Sequence, residues 1–138
     1  MLRESPDLAR DAERMNERRS FQRVFEAAIM RWISGRCDAD GIETWKAFRE
    51  RVQGSVRRLM RENGRQKRIA LFTSGGVISA AVQMALRLTD DVAIQLGWQL
   101  RNTSISIFKY NDERIFLNAY NGIHHLEHRR KPHLLTYR

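Results

Sequence analysis

Residues 69–80 read IALFTSGGVISA: an apolar run from Ile69 to Phe72, the pair Thr73-Ser74, two glycines, and a second apolar stretch with helical spacing. An uninterrupted apolar run bounded by turn residues is the pattern of a strand buried on both faces. Val77 to Leu88 then suit a helix packed on that strand. A strand that stops at a glycine pair and turns into a helix gathers backbone N–H groups and the Ser74 hydroxyl at one point, an arrangement able to hold a phosphate. The same residues also suit a plain tight turn in which Ser74 caps the helix.

On the N-terminal side the periodicity is helical. Ser5-Pro6-Asp7 combines a capping serine, a proline at the first helical position and an acid in the first turn, predicting a short helix to about Arg18. Phe21, Val24, Phe25, Ala28, Ile29 and Trp32 fall at i, i+3, i+4, i+7, i+8 and i+11, a stripe that Ser20 caps and Gly35 ends. After the connector SGRCDADG, a third helix carries Trp45, Phe48, Val52, Val56, Leu59 and Met60 on one face and Arg49, Arg57, Arg58 and Arg61 on another, ending at Asn63-Gly64. On the C-terminal side, TDDVAIQLG predicts a short capped helix. SISIFKY and RIFLNAY predict an antiparallel hairpin around NDE. The tail from Asn121 is polar, holds all four histidines and has no strong period. Residues 1–64 are therefore expected to be helical and residues 65–138 to run strand, helix, hairpin within a single domain. A doubly buried strand needs more neighbours than this hairpin supplies, so the sheet reads as part of a larger one.

The bulk properties narrow the classes. With 138 residues the chain has room for one core. No apolar run approaches the roughly 20 residues of a membrane span, and MLRESPDLAR is not of signal-peptide type, so a cytoplasmic location without membrane partners is the expectation. Cys37 is the single cysteine, which excludes a disulfide within the chain and argues against a cysteine metal site. A formal charge of +9 attracts any polyanion without distinguishing among them. The arginines are mixed with glutamates on helical faces, as on an ordinary solvated surface, and no nucleic-acid motif accompanies them. A basic module binding nucleic acid or another polyanion is the alternative reading. His124 to His128 read HHLEH, the H-x-x-E-H spacing of a zinc-protease motif, but a catalytic zinc needs a third ligand and only His133 follows, so no metal is expected.

A helix with ETWKAFRERV, a basic turn, a strand ending in FTSGGVIS, a helix, NTSISIF, a second strand and NGIHHLE resemble, in that order, the C-terminal half of the histidine phosphatase superfamily, the phosphoglycerate mutase-like enzymes, from about Phe21 onward. The resemblance implies an α/β, three-layer phosphoglycerate mutase-like fold that is incomplete here, because the N-terminal strand with its Arg-His-Gly motif is missing. It implies a reaction in which a histidine on that strand attacks a phosphate monoester and is phosphorylated. This sequence has no Arg-His-Gly, and no histidine precedes His124. Where the family usually places its second histidine, before the glycine pair, this chain has Ser74, as in a branch that reads Thr-Ser-Gly-Gly. The expectation is thus a C-terminal portion whose intact parent hydrolyses a phosphorylated small molecule, with no catalytic residue and no cofactor of its own. Ser74, Gly75, Gly76 and His125 would form one wall of a phosphate pocket, and the uncovered ladder edges favour self-association.

Overall fold

The computed structural model describes residues 5–36, 40–127, 134 and 136. Its contacts divide the chain into two compact units, Met1–Phe48 and Arg49–Arg138.

The first unit is helical. Helix α1 (Pro6–Glu13) starts at the proline, as expected, with Ser5 extended before it, although the Ser5 side chain makes no capping bond. Helix α2 (Arg18–Ile33) begins ahead of Ser20, with Glu17 at its N-cap. Ser20 is therefore not the cap that its position suggested. It is buried within the helix, and its hydroxyl donates to Asp11 Oδ1 at 3.0 Å, while Arg23 Nη1 lies 2.8 Å from the other oxygen of Asp11. A carboxylate on α1 thus ties α1 to α2, a polar contact that replaces the cap in fixing this helix pair. The stripe ends in aromatic packing. The Trp32 ring meets Trp45 edge-on, with centroids 5.2 Å apart, and both rings lie 5.6 Å from Phe48. Trp32 Nε1 donates to the Glu43 carbonyl at 2.7 Å, satisfying the polar end of the indole.

Helix α3 (Trp45–Asn63) opens with Thr44 Oγ1 accepting from the Ala47 amide at 3.2 Å and stops at Gly64, whose φ of +62° favours glycine. In the second unit its Met60 joins Ala81 and Ile115 in the core, with Val56, Met84, Ala85, Phe108 and Tyr110 packed around them. Helix α4 (Gly75–Leu86) is apolar on nearly every side and accordingly central, with Ser79 to Gln83 all buried. Helix α5 (Asp90–Trp98) packs on α4. Their approach is close: a Cβ on Gly97 would stand 2.2 Å from Ser79 Oγ, the hydroxyl that donates to the Gly75 carbonyl.

Strands β1 (Ile105–Tyr110) and β2 (Ile115–Gly122) form the expected antiparallel hairpin, in a sheet of order β1-β2. Asn111 shapes its turn by accepting at Oδ1 from the amides of Glu113 and Arg114. Tyr110 opposite Ile115 and Phe108 opposite Leu117 sit on the core face, whereas Ile105, Ile107 and Phe116 remain exposed on the other. Register shifts between Ile105 and Phe108 bend this end of the ladder.

One expectation fails outright. Ile69 to Phe72 do not form a strand, and they are not buried on two faces: Leu71 is 63% exposed and Phe72 is 99% exposed. The apolar run specifies a segment able to enter a sheet, but entry needs ladder partners. Among the described residues β1 and β2 pair only with each other, so nothing takes up the backbone of Ile69 to Phe72. The described residues form a set of helices with a small two-stranded sheet, consistent with an α/β fold of the expected family. After β2 comes α6 (His124–Glu127), a single helical turn in the tail that showed no period. His128 and His133 lie outside the described residues, as does Cys37.

Candidate functional site

The helix start at Ser74 is the feature on which the expected site depends. Ser74 is extended (φ −90°, ψ 163°) and occupies the N-cap of α4, yet its side chain makes no capping bond. The first amides of a helix have no partner within it, so at Gly75, Gly76 and Val77 they are left to solvent or a ligand. Ser74 itself is exposed, and the two glycines are half-buried. A free hydroxyl beside free amides, on the positive end of a helix dipole, favours an anion. Nothing here activates Ser74 as a nucleophile, because among the described residues no histidine or carboxylate hydrogen-bonds to it.

His125 is exposed on α6, and no hydrogen bond or ion pair joins it to the Ser74 corner. Its neighbour His124 carries the local contact instead, with Nδ1 lying 3.3 Å from Glu127 Oε2. Ser74, Gly75 and Gly76 are neighbours by chain continuity, and His125 stands on its own helical turn with no bond to them. Among the described residues no three histidine, cysteine, aspartate or glutamate side chains gather in a way that could hold a metal.

Asn121, which precedes the histidines, has a well-defined role. Its φ is +57°, a left-handed conformation in which asparagine is more tolerable than most residues. Its Oδ1 accepts from the Arg101 amide at 2.9 Å and its Nδ2 donates to the Gln99 carbonyl at 2.7 Å, while its own amide donates to Ser106 Oγ at 3.2 Å. One side chain therefore locks the end of α5 and the entry to β1 against β2. Asn102 extends this edge, its amide donating to the Thr136 carbonyl and its Nδ2 to Thr136 Oγ1, both at 2.9 Å. Residues 102 and 121, quoted above as carriers of the family resemblance, are here backbone organisers.

A second polar node went unnoticed in the sequence. Gln83 on α4 is 5% exposed, and its Nε2 donates to Asp90 Oδ1 at 2.6 Å and to the Leu88 carbonyl at 3.2 Å. Arg49 Nη1 donates to the same Asp90 oxygen at 2.6 Å. A glutamine in an apolar helix is the only sequence signal for this node: Asp90 lies 7 residues from Gln83 and Arg49 lies 41 from Asp90, too scattered for any spacing rule. Elsewhere the electrostatics are local. Arg65 beside Asp112 holds that exposed carboxyl below the usual range, and burial pushes the Tyr120 phenol up while its hydroxyl donates to the Leu96 carbonyl at 2.6 Å.

A mixed helix and sheet scaffold with an anion-ready Ser-Gly-Gly helix start is the class that these features define. Comparison with protein-family models matches residues 9–122 to the histidine phosphatase superfamily (branch 1). This match spans most of the sequence, and the chain belongs to the histidine phosphatase superfamily. It begins ahead of Phe21, taking in part of α1, and stops at Gly122, ahead of His125. No curated protein and no solved structure matches significantly. No described helix is long and apolar enough to cross a membrane.

Proposed function

We propose that this chain supplies one wall of a phosphate pocket in a histidine phosphatase-type domain, within an intact parent that hydrolyses a phosphorylated small molecule through a phosphohistidine. The observation that carries this reading is the uncapped start of α4, where the Ser74 hydroxyl and the amides of Gly75 and Gly76 have no helix partner. In the superfamily's reaction an imidazole attacks phosphorus, and donors around the equatorial oxygens stabilise the charge that spreads over them. Here Ser74 would donate one hydrogen bond to a phosphate oxygen and the amides two more. A hydroxyl carries no charge, so its contribution at this position is weaker than that of an imidazolium. His125 belongs at the pocket edge.

No residue of this sequence stands in an Arg-His-Gly motif, and Ser74 has no base beside it. The chain alone is accordingly a phosphate binder and not a catalyst. Its setting is cytoplasmic and its partner a phosphate monoester. Two measurements test this. The purified 138-residue chain should show no turnover of an aryl phosphate. Titration with inorganic phosphate should shift the amide resonances of Gly75 and Gly76, and Ser74→Ala should weaken that binding about fivefold or more, as expected for one hydrogen bond from a neutral donor to an anion. Turnover that Ser74→Ala abolishes would refute the inactive reading. Shifts scattered over the exposed arginines, and falling steeply with salt, would favour the polyanion module instead.

A further inference from the structure

The apolar stretch before α4 has an open backbone. From Lys67 to Ser74 the chain runs without a turn or bend, and the backbone groups of Lys67 to Thr73 make no hydrogen bond among the described residues. No residue from Lys67 to Thr73 is a glycine or proline and none has a positive φ, so the pleated geometry of a strand is open to them. Leu71 and Phe72 are the most exposed large apolar side chains among the described residues. In a strand these neighbours would point to opposite faces, so a segment added along the edge would meet apolar surface on both. Strand edges are commonly protected from pairing by a lysine or proline within them. Ile69 to Phe72 hold neither.

Charge selects the occupant. Lys67 and Arg68 stand exposed at one end of the stretch, with no ion-pair partner among the described residues. No acidic residue occurs between Glu62 and Asp90 to offset them, and Asp112 is taken by Arg65. The other end leads into the start of α4, the positive end of its dipole. A second copy joined through the same stretch therefore meets like charge. Paired antiparallel, it brings Lys67 and Arg68 against the start of α4; paired parallel, it brings them against themselves. It is the weaker occupant, held only at high concentration. An apolar strand with carboxylates at its ends meets opposite charge in either direction.

We propose that Ile69 to Phe72 is a docking edge for an extended segment of another protein, apolar in the middle and flanked by aspartate or glutamate, which adds to it as a β-strand. Main-chain bonds hold the segment, its side chains cover Leu71 and Phe72, and Lys67 and Arg68 select the acidic flank. The ladder is short, so the complex is a transient one. Nothing in this requires phosphate at Ser74, and the two readings stand or fall independently.

The test uses the intact, isotope-labelled chain and the end-blocked peptide Glu-Val-Thr-Val-Thr-Glu. Titration should shift the amide resonances of Ile69 to Phe72 and slow their exchange with solvent. The same peptide with lysine in place of both glutamates should bind about tenfold weaker. An analogue with ester links in place of the central amides keeps the side chains, loses the donors, and should also bind about tenfold weaker. Lys67→Ala combined with Arg68→Ala should weaken the glutamate peptide about fivefold and flatten its salt dependence. Arg57→Ala, which removes an exposed cation of α3, should do neither. Equal binding of the glutamate and lysine peptides, equal binding of the amide and ester forms, or shifts that leave Ile69 to Phe72 untouched would overturn the proposal. So would a doubled mass at the concentrations titrated with no response to peptide, which would make a second copy the occupant.

Discussion

Asn121 shows how much a single side chain can organise. Its left-handed backbone and its two side-chain bonds, to the Arg101 amide and the Gln99 carbonyl, are separable contributions. Asn121→Ala loses both and should cost about 2–3 kcal/mol of stability, whereas Asn121→Gly keeps the backbone freedom and should recover about 1 kcal/mol of that. Urea denaturation of the two variants measures the difference, and equal losses would show that the backbone conformation contributes nothing. Serines teach the complementary lesson. Ser20 and Ser74 both read as caps, since both precede an apolar helical stretch, yet Ser20 is a buried tie to Asp11 and Ser74 stands at the N-cap without a side-chain capping bond. A hydroxyl at a helix start is a weak local signal, and the partner that finally claims it is chosen in three dimensions.

Among the elements, periodicity was the reliable guide. Helix α3 ends at Asn63 beside Gly64, and the hairpin turns at Asn111 to Glu113, because caps and turn residues act within a few positions of the backbone they shape. Close approach of two helices is not written in that way. Gly97 reads as a helix terminator, but it faces Ser79 of α4 at a distance that admits no side chain. Gly97→Ala should therefore destabilise by about 1–3 kcal/mol through overpacking. Replacing Ser79 by alanine in the same chain should return part of the loss, because the nearest atom is then gone. Gly54, within α3, is the contrast. Nothing lies within 4 Å of a Cβ there, so Gly54→Ala should stabilise by about 0.5–1 kcal/mol. Thermal unfolding of the three variants reads opposite signs for the same chemical change, and a loss at Gly54 would contradict the open-space argument.

For the molecule as a whole, the apolar surface left uncovered is the consequence with most reach. Leu71 and Phe72 stand in solvent, and Ile105, Ile107 and Phe116 line the outer face of a two-stranded sheet whose ladder edges are open among the described residues. Such surface favours self-association. Leu71→Asn with Phe72→Ser should change unfolding free energy by less than about 0.5 kcal/mol while lowering the apparent mass in light scattering at high concentration. An unchanged mass would locate association elsewhere, and a large loss of stability would mean that these side chains are not exposed in solution. The sequence by itself determined the helix stripes, the hairpin and its turn, and the resemblance to a superfamily that the family match then established, because each rests on short-range spacing or on motif order along the chain. Only tertiary structure decided that Ile69 to Phe72 stay out of the sheet and that the Gln83, Asp90 and Arg49 side chains meet. Strand pairing and buried polar contacts depend on which distant residues arrive beside them, and an apolar run carries no information about partners that are not there to pair with it.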